Sequence, residues 1–127
     1  MYLVALMIVV ALVEYFILGL LVGQARVKHN VPPPATSGDP IFERYFRVHQ
    51  NTMEQLVVFV PAMLIFATYV HPLVAAILGL LFVVARPIYA MGYIKDPAKR
   101  ASGAAITFTV NAILLLGGLV GIVAHAL

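Results

Sequence analysis

The sequence predicts an all-α integral membrane protein, a four-helix bundle forming a single four-span domain over residues 1–127. Three observations predict it. First, 63% of the residues are hydrophobic and only 10% are charged, where a soluble domain carries roughly 25% charged residues. Second, a chain of 127 residues has room for four spans of about 20 residues each. Third, the polar residues gather where apolar runs begin and end. The formal charge of +3 bears on orientation and on anionic ligands. No aromatic-and-basic nucleic-acid module is present, so no nucleic-acid partner is expected. The chain contains no cysteine. That excludes a disulfide, a thiolate nucleophile and a thiolate metal site, so any sulfur chemistry must arrive on a ligand.

Helix 1 is expected over about residues 1–23. It lacks the basic n-region and small-residue cleavage site of a signal peptide, and its first charge, Glu14, falls in mid-run, so the segment should be retained. Residues 24–40 follow as the longest loop. Its run VPPPATSGDP forbids a helix and favours an extended path, which makes it a candidate lid. Helix 2 covers about 41–70 and would be some 45 Å long. That exceeds the roughly 30 Å hydrocarbon core, so its charged start should reach the interface. Pro61 should kink it. The His71-Pro72 turn is so short that helix 3, about 73–93, must return antiparallel. The basic turn KDPAKR leads to helix 4, about 102–124, where Gly117, Gly118 and Gly121 permit close helix contact.

Orientation follows from the cations. Arg26, Lys28, Arg44, Arg47, Lys95, Lys99 and Arg100 all flank the loops joining helix 1 to 2 and helix 3 to 4. The positive-inside rule places those loops, and any site beside them, toward the cytoplasm with both termini outside.

Two polar stripes then meet at one membrane depth. On the wheel of helix 2, Arg44, Arg47, Asn51 and Glu54 share an arc of roughly 80°. On helix 3, Arg86, Tyr89 and Tyr93 fall within about 60°. If helix 3 continued, Arg100 would join that stripe, about 21 Å from Arg86 along a straight axis. Charges entering a bilayer on one face usually turn toward a bundle interior or a wet cavity. One reading is an interfacial cap that snorkels to the headgroups. Another is a self-satisfied ion network, Glu54 with Arg47 or Arg86 with Glu14. The third is a ligand site: arginine forks for carboxylates, Glu54 for an ammonium, and Asn51 with the two phenols for neutral groups. Its ligand would be peptide-like, with more than one carboxylate and an amine.

The stretch FERYFRVHQNTME at Phe42 to Glu54, followed by ARPIYAMGY and then KR, resembles the MAPEG family of membrane proteins in eicosanoid and glutathione metabolism. The match spans about half the chain, and the proline-rich loop and four-span layout agree with it. The resemblance implies a homotrimer with glutathione, as co-substrate, held between adjacent subunits near the cytoplasmic face. By position, Arg47, Asn51, Glu54, Tyr89 and Tyr93 match the family's glutathione contacts, and His49, Gln50 and Gln55 of the same stretch are included in the binding set. Arg26 matches a contact from a neighbouring subunit. Arg100 matches the arginine that activates the thiol, and is the expected catalytic residue. Arg44, Arg86 and Glu14 are assigned to supporting ion pairs.

Two departures stand out. Gln55 replaces a tyrosine of the nearest eukaryotic members. Val27 replaces an arginine of the leukotriene-forming members, which favours a general transferase or a peroxidase. The implied function is transfer of the glutathione thiolate to a hydrophobic electrophile that enters from the membrane lipid, with possible reduction of lipid hydroperoxides. The alternative is a non-catalytic glutathione- or lipid-binding membrane protein. A third reading takes Glu14 as the proton-coupled glutamate of a small four-span exporter, but such an exporter has no need of the arginine stripes. The histidines show no metal-ligand pattern, and no metal is expected.

Overall fold

The structure, a computed structural model, describes residues 1–127. Four helices follow one another: α1 Tyr2–His29, α2 Pro40–Tyr69, α3 Pro72–Lys95 and α4 Ala101–Ala126, with a 3₁₀ turn, Pro97–Arg100, before α4. Each is long and apolar enough to cross a membrane. The outward surface agrees with this: Phe16 is 69% exposed and Phe108 74%, which water would penalise and lipid would not. The chain is a multi-pass integral membrane protein.

The helix ends are set by local chemistry. The expected end of helix 1 near residue 23 is corrected: α1 runs on to His29. Apolar composition marks where the hydrocarbon ends, not where the helix does. The last turn of α1 carries Arg26, Lys28 and His29, which suit the negative end of the helix dipole. Asn30 then closes it in the left-handed conformation, φ 57° and ψ 50°, a common stop signal. The connecting loop is accordingly shorter than expected, residues 30–39.

Asp39 opens α2. Its carboxylate accepts from the backbone N–H of Ile41 and of Phe42, each at 2.9 Å, and Pro40 occupies the first helical position, where no N–H is needed. The helix continues through Pro61 to Tyr69. His71 caps α3 in the same way, its Nδ1 accepting from Leu73 N–H at 3.1 Å. At the other end of α3 the backbone of Asp96 is extended, φ −160°. Its carboxylate accepts from Ala98 N–H at 3.1 Å and starts the 3₁₀ turn. Arg100 therefore does not ride on a continued helix 3. It sits where the chain reverses into α4.

α1 and α4 each pack against both α2 and α3. The core between them is aromatic and aliphatic. Phe59 and Phe82 stack with ring centroids 3.8 Å apart, and Met63, Val110 and Leu114 close around them, each at most 2% exposed. In α4 Gly121 permits contact with α2: a Cβ there would lie 2.7 Å from the carbonyl oxygen of Tyr69.

Candidate functional site

At the end of the bundle that holds the two longer connections, α2, α3 and the 3₁₀ turn enclose a cavity of about 380 Å³. Seven residues line it: Arg47, Gln50, Asn51, Glu54, Tyr89, Tyr93 and Arg100. The volume lies in the usual range for small-molecule sites, roughly 300–1,000 Å³, but the lining is unusually polar. The reversal at Asp96 is what brings Arg100 over α3. Gly92 allows it, since a Cβ there would lie 2.7 Å from the Lys99 carbonyl oxygen. Gly103 then lets the start of α4 press against the backbone of Tyr89, where a Cβ would lie 2.6 Å from the amide nitrogen.

Inside the cavity the charges are not neutralised by one another. The one contact of ion-pair geometry in the chain joins His29 to Asp39 at 3.4 Å, outside it. Arg47 and Glu54 form no ion pair, so the self-satisfied network is not present. Arg100 donates from Nη1 to the carbonyl of Pro97 at 2.8 Å, which steadies the turn and leaves the rest of its fork available.

The remaining residues of the expected set lie elsewhere. His49 points to the opposite side of α2 and stacks on Tyr15, centroids 4.4 Å apart; it lies two residues after Arg47, some 200° around the helix. Gln55 faces α4 and accepts from Asn111 Nδ2 at 3.0 Å. Arg26 donates to the carbonyls of Val31 at 3.1 Å and Ala35 at 2.6 Å, and its guanidinium lies over the Phe42 ring. It staples its own loop.

The supporting ion pairs are also corrected. Arg44 donates to the carbonyls of Ile94 and Lys95, at 3.0 and 3.2 Å. It thus satisfies the carbonyl end of α3 rather than a carboxylate. Arg86 is only 2% exposed, and its partners are neutral. Nη2 donates to Asn51 Oδ1 and Thr52 Oγ1, both at 2.8 Å, and Nη1 to Thr107 Oγ1 at 3.3 Å. The two hydroxyls spend their own protons on the carbonyls of Val48 and Gly103, so their lone pairs face the guanidinium. Tyr89 offers its ring face, 4.4 Å from the guanidinium carbon. With Oδ1 of Asn51 taken, its Nδ2 is the group left for the cavity.

Thr52, Thr107 and Asn111 had no place in the sequence reading. The available signal was a small-and-polar stripe along α4, in which Gly103, Thr107 and Asn111 recur every fourth residue. Arg86 and Arg100, which a continued straight helix 3 would hold far apart, both line a smaller cavity of about 170 Å³ beside the first.

The family model matching this chain is that of the MAPEG family, over residues 4–120. An uncharacterized protein of Synechocystis sp. is 43% identical over 118 residues, 93% of this chain and 86% of that protein. Microsomal glutathione S-transferase 2 of Homo sapiens is 38% identical, over 86% of this chain and 73% of its own length. Leukotriene C4 synthase of Cavia porcellus is 32% identical, over 93% of this chain and 77% of its own. With four membrane-crossing helices and a family match from one end of the bundle to the other, the chain belongs to the MAPEG family.

Proposed function

We propose that the protein is a membrane-bound glutathione transferase that can also reduce lipid hydroperoxides. One observation carries this reading: a polar cavity in a membrane protein holds a carboxylate and two guanidinium groups that no ion pair neutralises. Glutathione supplies the complement, two carboxylates, an ammonium and a thiol. Arg47 binds a carboxylate through its planar fork. Glu54 takes the ammonium, and Gln50, Asn51, Tyr89 and Tyr93 meet the peptide groups. Arg100 stabilises the thiolate after its proton passes to solvent. The sulfur then bonds to the electrophilic carbon as the leaving group departs. With a hydroperoxide, two glutathiones are oxidised to the disulfide while the peroxide becomes an alcohol and water. Relatives named as a glutathione transferase and a leukotriene synthase support this class of chemistry.

The working unit we propose is a homotrimer, with a neighbour's Arg26 reaching the cavity after releasing its own loop. Three chains per particle by native mass are expected. The cations near the two longer connections support a cytoplasmic cavity, and a C-terminal reporter active only in the cytoplasm should stay silent. The deciding experiment is conjugation of glutathione to an activated aryl halide by the purified protein in detergent. Saturable turnover is expected. Binding of glutathione without turnover would reduce the protein to a binder.

A further inference from the structure

The joint between α1 and α2 holds a cavity of about 360 Å³ that shares no residue with the polar cavity described above. Its lining includes Leu21, Gln24, Lys28 and His29 of α1 and Ile41 and Tyr45 of α2. Leu21, Gln24 and Lys28 follow at intervals of three and four residues, so they stand on one face of α1. From Leu21 to Lys28 that face rises about 10 Å and passes from apolar to amide to ammonium. The apolar run of α1 ends near residue 23, which puts Lys28 at headgroup level and Leu21 in the hydrocarbon. Gln24 and Lys28 are exposed and Tyr45 is half-buried. No hydrogen bond within the chain engages the side chain of any of the three. Lys28 has no acid to pair with: the carboxylate at this corner, Asp39, lies 3.4 Å from His29 and accepts from the amides that open α2. Three polar side chains, one of them charged, thus line one space without a partner in the protein.

We propose that this cavity holds the head of an anionic glycerophospholipid. The Lys28 ammonium takes the phosphate, and the Gln24 amide and the Tyr45 phenol donate to phosphate and ester oxygens. The volume lies in the range of small-molecule sites and takes a phosphate with its glycerol, while the acyl chains continue past Leu21 into the bilayer, where Ile17 is 49% and Leu20 57% exposed. A soluble anion would leave the apolar walls, Leu21 and Ile41, unmatched. A lipid that carries its own cation, such as phosphatidylcholine, brings a second positive charge beside Lys28 and fits less well. Basic pockets between membrane helices are a recurring means of holding anionic heads.

The test is a lipid titration of the full-length protein in a non-ionic detergent, read by native mass spectrometry as lipids bound per chain. Dioleoyl phosphatidylglycerol and dioleoyl phosphatidylcholine are the probes, and glycerol 3-phosphate is the competitor. Phosphatidylglycerol should bind about fivefold more tightly, the equivalent of about 1 kcal/mol, which is the usual worth of one basic residue at an anionic surface. Lys28→Gln should abolish that preference. Lys95→Gln removes an exposed cation at the other long connection and should keep it. Should Lys28→Gln fail to fold, Tyr45→Phe carries the test: it should weaken both lipids about threefold, since both carry the phosphate and the esters. Equal affinity for the two lipids overturns the proposal, and so does a preference that survives Lys28→Gln or that falls equally with Lys95→Gln. Displacement of the lipid by an equal concentration of glycerol 3-phosphate overturns it too, and would make the cavity a site for a soluble phosphate ester. None of these readings involves glutathione, so the proposal stands or falls apart from the transferase.

Discussion

Arg86 and Arg100 line the same small cavity, yet they belong to different kinds of region. Arg86 is enclosed, and every group it bonds is a neutral oxygen supplied by another helix. Arg100 lies on an exposed turn and bonds only the Pro97 carbonyl within its own turn. A charge whose partners come from the protein is part of the scaffold, because removing it strands groups that folding has already desolvated. A charge with few partners in the chain keeps its interaction energy for something that binds. The same division separates Arg44, which closes α3, from Arg47, which faces the cavity only three residues later.

The comparison is sharpest where it predicts opposite outcomes for the same kind of substitution. Arg86→Leu should destabilise the folded protein most, by about 3–5 kcal/mol, since Asn51, Thr52 and Thr107 lose a partner together. Thermal unfolding in detergent measures it, and an unchanged midpoint would dissolve the distinction. Arg47→Ala and Glu54→Ala should leave that midpoint nearly unchanged while weakening glutathione by about 2–5 kcal/mol in a calorimetric titration. Unaltered affinity in both would mean that the cavity charges serve something other than this ligand.

Next comes the glycine that brings the two regions together. Gly103→Ala places a methyl 2.6 Å from a backbone nitrogen of Tyr89, which no rotamer change can relieve. A loss of about 1–3 kcal/mol of stability is expected, the usual cost of overpacking. It should also disturb the placement of Arg100, seen as a fall in kcat larger than any rise in KM.

Arg100→Ala carries the smallest stability effect, within about 0.5 kcal/mol, and the most specific functional one. Bound glutathione should show thiolate absorbance at neutral pH in the intact protein. The variant should lose that signal and keep much of the binding. A free thiol ionises near 8.5, so each unit of lost depression costs about tenfold in thiolate at neutral pH. Arg100→Lys should keep part of the signal. A variant that retains full rate would remove Arg100 from the chemistry.

Much of this was legible in the sequence, and the failures are specific. Four apolar runs and their joints were readable because the bilayer imposes length and composition. Arg47, Asn51 and Glu54 share one arc of a regular helix, so a wheel groups them. The same wheel puts His49 on the far side, where it meets Tyr15. Its place in the expected binding set rests on its membership of the same stretch and not on its angle. Arg44 and Arg86 were paired with carboxylates because charge is visible in a sequence, while backbone carbonyls and threonine hydroxyls are not. Arg100 joins the stripe of helix 3 in the sequence only on the condition that the helix continues, and that condition fails because a single extended residue, Asp96, reverses the chain. No periodicity announces such a reversal, although Asp before Pro was its local sign.

Arg86 never lines the larger polar cavity, yet it holds by its oxygen a residue that does, Asn51. The amide is thereby oriented before any ligand arrives. A ligand that meets its Nδ2 loses little side-chain entropy in ordering it, so a residue out of the ligand's reach still contributes to its affinity.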